Sequence, residues 1–190
     1  MSSQTPSQTV GPFFHFGLIF GGENILTTED TIGSRIRIKG QVTDGGGTLV
    51  PDAMIEIWQA DAKGYFNHPE DPNHNQADKH FRGFGRSDTD SNGMFSFKTI
   101  KPGAVRWNEF QDQAPHISVR VFARGMLTHA YTRLYFSDEE EANKTDPVLN
   151  LVDGKRRPTL VALQQESEDL PTYRFDIALQ GERETVFFDP

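Results

Sequence analysis

The chain has no cysteine. That excludes disulfides and every thiolate-held metal site, and it fits a reducing compartment, so a cytoplasmic protein is expected. Positive charge is in deficit, with 19 lysines and arginines against 27 aspartates and glutamates and a formal net charge of −8. A surface of that sign repels nucleic-acid phosphates and anionic membranes, so neither is expected as a partner. The opening "MSSQTPSQTVGPFFHFGLIFGG" holds an apolar patch, but no basic residue precedes it and it is too short and glycine-bounded to span a bilayer. No targeting segment is read there. A Gly-x-Ser-x-Gly elbow, a phosphate loop and a dinucleotide fingerprint are also missing, which leaves hydrolase and nucleotide chemistry without support. Helical pattern is scarce: only "SDEEEANK", residues 137–144, opens on a Ser-x-x-Glu cap signal and predicts a short helix.

What the chain does have is alternation. "RIRIKGQVT" places Ile36 and Ile38 on one face and Arg35, Arg37 and Lys39 on the other, the period of a half-buried strand. "AMIEIWQAD", "GMFSFKTI" after an Asn-Gly turn, "HISVRVFA", "AYTRLYF", "TLVAL", "YRFDIAL" and "TVFF" read as further short strands parted by glycine, proline or acidic clusters. At 190 residues the chain fits one domain, able to bury roughly 70% of its unfolded surface. The fold expected is all-β, a two-sheet β-sandwich with long loops and little helix, as a single domain over residues 1–190. Two segments stand apart. Residues 1–12 are polar and punctuated by Pro6 and Pro12, which predicts an extended N-terminal arm. Residues 61–86, "DAKGYFNHPEDPNHNQADKHFRGFGR", predict a long surface excursion, a feature that is uncommon without a function.

His68, His74 and His80 lie in that excursion near several carboxylates, but their spacing matches no ligand pattern and they are read as solvated loop residues. His15 and His129 are read as core or turn histidines. The stretch "APHISVRV", residues 114–121, is more pointed. Alternation sends Ile117, Val119 and Val121 to one face and His116, Ser118 and Arg120 to the other. Two imidazoles at such positions could clamp a metal, yet the second position holds a serine.

Taken together, "TPSQTVGPF", "DAMIEIWQADAKG", "GFGRSDTDSNGMFSF", "TIKPGAVRW" and "APHISVRVFARG" resemble the intradiol ring-cleaving dioxygenases, in order and from nearly one end to the other. "THAYTRLYF", "DPVLNLV", "YRFDIALQGERETVFFD" and the final Pro190 are similar to the α-chain type of the family's two-chain members that act on protocatechuate. The resemblance implies an intradiol-type β-sandwich. It also implies an activity, cleavage of a catechol by O2 between its two hydroxyl-bearing carbons, which converts protocatechuate to 3-carboxy-cis,cis-muconate. The family's catalytic chains hold non-haem Fe(III) with two tyrosines and two histidines, hard phenolate donors suiting ferric iron.

Carried over by position, that ligand set is broken. Val105 in "KPGAVRW" stands where the family has a tyrosine, His116-Ile117-Ser118 replaces a histidine pair, and no tyrosine lies between His68 and Gly85. Gln113 or Asp112 stands near the place of an arginine that catalytic chains keep. The resemblance therefore implies no metal ligand and no catalytic residue on this chain, with the iron on a β chain of the same fold and α–β units in a higher hetero-oligomer. This chain would support that partner and line part of the substrate pocket with Thr9, Gly11 and Pro12 from the arm and Arg133 from "YTRLYF", the guanidinium meeting the ring carboxylate. Three alternatives stay open: Arg133 pairing with a structural acid such as Asp138, a stand-alone dioxygenase with iron on His116 and loop histidines, and an inert sandwich that binds carbohydrate or protein.

Overall fold

Alternating apolar residues turn into strands wherever a second strand can shield the apolar face. The computed structural model describes residues 6–11 and 13–189. Its strands are β1 (Arg35–Thr43), β2 (Met54–Trp58), β3 (Phe84–Asp88), β4 (Met94–Ile100), β5 (Val105–Arg106), β6 (Asp112–Gln113), β7 (His116–Phe122), β8 (Ala130–Phe136), β9 (Val161–Gln165), β10 (Thr172–Arg174) and β11 (Ile177–Ala178), and its helix is α1 (Glu140–Thr145). β3, β2, β7 and β8 pair in succession as one antiparallel layer. β4 and β1 with β10 and β9 make the other layer. The two are joined where β8 runs parallel to β9. The small β5–β6 hairpin stands apart.

The core fills the space between the layers. Ile36 and Ile38 of β1, Phe95 and Phe97 of β4, Ile55 and Ile57 of β2, and Ile117, Val119 and Val121 of β7 belong to one buried cluster. Phe136 meets Tyr173 edge-on across it, with ring centroids 4.9 Å apart. The architecture is the expected β-sandwich with little helix, its layers joined edge to edge into a barrel-like whole. A second, smaller cluster of Ala114, Tyr135, Leu149 and Leu160 covers the outer face of β8, so that strand is shielded on both sides. Among the described residues, no helix is long and apolar enough to cross a membrane.

Several expectations are corrected. "TVFF" forms no strand: Thr185 N–H donates to Ala178 O and Phe188 N–H to Tyr131 O, leaving a single bridge at Phe188. "YRFDIAL" is split into β10 and β11, because the Asp176 carboxylate takes the Gln41 N–H at 2.9 Å and interrupts the ladder. Ser137 does not cap α1. Its hydroxyl accepts from Gln164 N–H at 3.0 Å, and the cap position falls on Glu139. Nor is the 61–86 segment all surface. It contributes β3, and Asp61 and Phe81 are buried. Asp61 pins it as an internal staple, Oδ1 accepting from Lys63 and Tyr65 N–H and Oδ2 from Asp78 N–H.

Gly40 on β1 shows how closely neighbouring strands meet within one layer. A Cβ there would lie 1.8 Å from the Phe175 carbonyl oxygen and 2.6 Å from the Phe95 ring, so any side chain must push backbone aside. Gly40→Ala should destabilise the fold by about 2–3 kcal/mol through overpacking, read as a lower urea midpoint with an unchanged slope. An unaltered midpoint would mean that the β1–β10 contact gives way easily.

Candidate functional site

The register of β7 on β8 sets His116 opposite Tyr135, Ser118 opposite Arg133 and Arg120 opposite Tyr131. Directly opposed side chains on one face are within about 5 Å at Cβ, so these six groups share one surface, turned away from the core. It has become a closed polar cluster. Asp146 is buried, and its carboxylate takes four donors: Ala114 N–H at 2.8 Å, Tyr135 O–H at 3.1 Å, and the N–H groups of Val148 at 2.9 Å and Leu149 at 2.6 Å. Arg133 Nη1 donates to Gln113 Oε1 at 2.7 Å. Burial opposes its charge, but hydrogen bonding to Tyr131 and the electrostatic influence of the neighbouring Tyr135 hydroxyl hold the guanidinium above its ordinary pKa.

His116 is caught inside this cluster. Its Nδ1–H donates to the Ala114 carbonyl at 2.8 Å. Burial, and then the neighbouring Arg133 guanidinium, lower its pKa to about 4, partly opposed by the Ala114 hydrogen bond and the Asp146 carboxylate. Tyr135 moves the other way, pushed up by burial and by Asp146. A neutral imidazole beside a fixed cation and a neutral phenol tied to a carboxylate make a satisfied structural network.

These residues do not fit iron. Val105 has no donor atom, the Ser118 hydroxyl lies 3.3 Å from the Tyr131 hydroxyl, and a guanidinium beside the one remaining imidazole repels a second cation. The loop histidines are occupied separately. His74 Nδ1–H donates to Asp71 O, and His68 Nδ1 accepts from Glu70 N–H while its ring meets Trp58 edge-on; His80 is tied to Thr31 through its backbone carbonyl. Among the described residues no three His, Asp or Glu side chains are grouped to hold a metal ion. A cavity of about 770 Å³ lies between the 61–86 segment and the β5–β6 hairpin, walled by Trp58, Tyr65, Phe66 and Val105. Neither His116 nor Arg133 lines it.

The arm is found elsewhere on the same hairpin. Thr9 Oγ1 accepts from Gly125 N–H at 2.8 Å across 116 positions of sequence, so the arm lies against the turn that joins β7 to β8. Gly11 is exposed, and a Cβ on it would meet nothing within 4 Å. Pro12 lies outside the described residues. Arg133 is not brought to Thr9. It sits four residues into β8, roughly 13 Å along the strand from the turn. The cation beside the arm is Arg124, which precedes Gly125 and is 60% exposed. Asp52 holds Arg124 by an ion pair. Alternation along β8 says which face Arg133 occupies but not which end of the hairpin the arm reaches. The acid suggested for Arg133, Asp138, is taken by Lys101 Nζ at 2.6 Å and Tyr173 O–H at 2.9 Å.

Known proteins bear on this arrangement. The family described as Dioxygenase matches residues 11–181. The protocatechuate 3,4-dioxygenase alpha chain of Burkholderia cepacia is 46% identical over 98% of this chain and 97% of its own length. The beta chain of the same species is 31% identical over 84% of this chain and 70% of its own. Among solved structures, the dioxygenase domain of a dioxygenase carbohydrate-binding protein fusion from Streptomyces sp. SirexAA-E superposes with a TM-score of 0.64 at 25% identity, covering 94% of this chain and 99% of that one.

The buried imidazole gives a pH test. Between pH about 6.5 and about 4 the unfolded chain protonates His116 while the folded chain does not. Its contribution is therefore complete above 6.5 and lost as pH falls through that window, about 3 kcal/mol in all. Urea unfolding from pH 7 to 4 should show that loss, and His116→Gln should remove its part of the slope. A variant with the wild-type slope would rule out His116 as the titrating group.

Proposed function

The chain belongs to the intradiol ring-cleaving dioxygenase family, and from that premise we propose that it is the iron-free α subunit of a protocatechuate 3,4-dioxygenase. The family depends on non-haem iron; in this reading the iron is held by the protocatechuate 3,4-dioxygenase β chain, and residues 1–190 form a single accessory domain. The observation that carries the reading is the donor set, with one imidazole of four expected ligands left, hydrogen-bonded to Ala114 and facing Arg133. The likeness to both chain types supports a partnership between two copies of one fold. We place the assembly in the cytoplasm, as α–β units of a larger hetero-oligomer.

In this proposal the β chain's iron supplies the ring-opening chemistry with O2, and this chain supplies binding. Protocatechuate carries a ring carboxylate besides its two catechol oxygens. Thr9 is oriented by the Gly125 N–H it accepts, and its hydroxyl, which makes only a long 3.5 Å hydrogen bond to Val10 O, can turn that proton to a ligand instead. Gly11, where a Cβ would meet nothing within 4 Å, lets a flat ring approach the backbone, and Pro12 is kept in the proposed set on the family resemblance alone.

For the carboxylate there are two guanidinium candidates. Arg133, the residue chosen from sequence, donates to Gln113 within a closed cluster. Arg124 is exposed and adjoins the turn that binds Thr9. Exposure and proximity favour Arg124: Asp52 pairs with its Nε, which leaves the Nη1–Nη2 edge for a bidentate carboxylate.

Steady-state kinetics of the complex with a β chain separate the two. Arg124→Ala should raise KM for protocatechuate by roughly 30- to 100-fold, the range of a charge-assisted pair, with kcat and iron content nearly unchanged. Arg133→Ala should lower thermal stability and leave KM close to wild type. The reverse pattern would return the carboxylate to Arg133, and no protocatechuate turnover by the wild-type complex would favour the inert binding module.

A further inference from the structure

The arm has little of its own to hold it in place. Residues 6–9 and Gly11 are exposed and in no strand. Among the described residues, the Gly125 N–H to Thr9 Oγ1 hydrogen bond crosses from arm to sandwich and, just beyond the arm, so does a group of tilted rings. Phe122, the last residue of β7, lies between two rings: Phe14 at 5.5 Å and a 40° tilt, and His129 at 5.4 Å and 33°. Beside them is an apolar groove of about 370 Å³ lined by Val10, Phe14, Phe122, Met126, Leu127 and His129.

Alternation gives Phe122 the outward face that it shares with His116, Ser118 and Arg120. Its neighbours in sequence lead directly into the turn that carries Arg124 and Gly125. The ring therefore links three things: the end of a rigid strand, the turn with its exposed cation, and the segment with Thr9 and Gly11.

We propose that Phe122 is a positioning residue for substrate binding, clasping the arm through Phe14 and His129 so that Thr9, Gly11 and the 124–125 turn face the substrate as one preformed surface. This rests on the pocket role given to the arm above. Phe122 touches no substrate in this arrangement and acts through the arm. An exposed coil would otherwise sample many conformations, and the fraction in the binding-competent one would scale the apparent affinity. The contribution therefore falls on KM and leaves turnover alone.

Two readouts on one set of variants test the clasp in the full α–β complex. Phe122→Ala should raise KM for protocatechuate about five- to tenfold, the size of one aromatic pair in an equilibrium constant, with kcat and iron content as in wild type. Phe122→Tyr keeps the ring and should restore KM. In parallel, amide hydrogen exchange should show that Gly125 N–H, protected by Thr9, exchanges faster in Phe122→Ala and at the wild-type rate in Phe122→Tyr. Unchanged protection in Phe122→Ala would overturn the clasp itself. Lost protection with unchanged KM would overturn its role in substrate binding. A wild-type complex with no turnover would defeat the proposed function instead, and Gly125 exchange would still decide whether Phe122 holds the arm.

Discussion

The register of β7 on β8 is the constraint from which the rest follows. With Ser118 opposite Arg133, Ile117, Val119 and Val121 enter the core and every polar side chain of β7 is sent to the other face. A slip of one residue would exchange the two sets, putting His116 and Arg120 into the hydrophobic layer. The core forbids that slip, so it also dictates which groups must live together outside. Those groups found partners among themselves: Arg133 with Gln113, His116 with Ala114, and Tyr135 with Asp146. Once each donor has an acceptor, breaking one of these bonds to admit a metal would strand a partly buried group, which is costly.

The same hairpin behaves differently at its two ends. Where β7 begins, Asp146 and its four donors close the surface, and Tyr135 is fully buried. Where β7 ends, the turn is open, carries an exposed guanidinium and accepts the arm. A fold whose one remaining imidazole is sealed in and whose turn is free is suited to completing a neighbour's pocket. That division of labour needs no change to the core, since strand order, Gly40 and the inward-facing isoleucines serve both ends alike.

Much of this could be read from residues alone. Period-two alternation located β1, β2, β4, β7 and β8, and it correctly separated Ile117, Val119 and Val121 from His116, Ser118 and Arg120. The loss of metal donors at Val105 and Ser118 was visible as residue identity. What was hidden depends on contacts far apart in sequence. The pairing of Thr9 with Gly125 spans 116 positions and leaves no local pattern, so the choice of Arg133 by its face carried no information on where the arm lies. Asp146 and Asp61 look like ordinary surface acids until their backbone donors are counted. The strand expected at "TVFF" failed for a related reason, because β-propensity is realised only where a partner edge is free.

Metal content and turnover of this chain purified without a partner test the central claim most directly. The expected protein is colourless, with iron at background level and no consumption of protocatechuate under O2, and it gains ring cleavage only when combined with an iron-bearing β chain. Stoichiometric iron together with protocatechuate cleavage by the chain alone would contradict it.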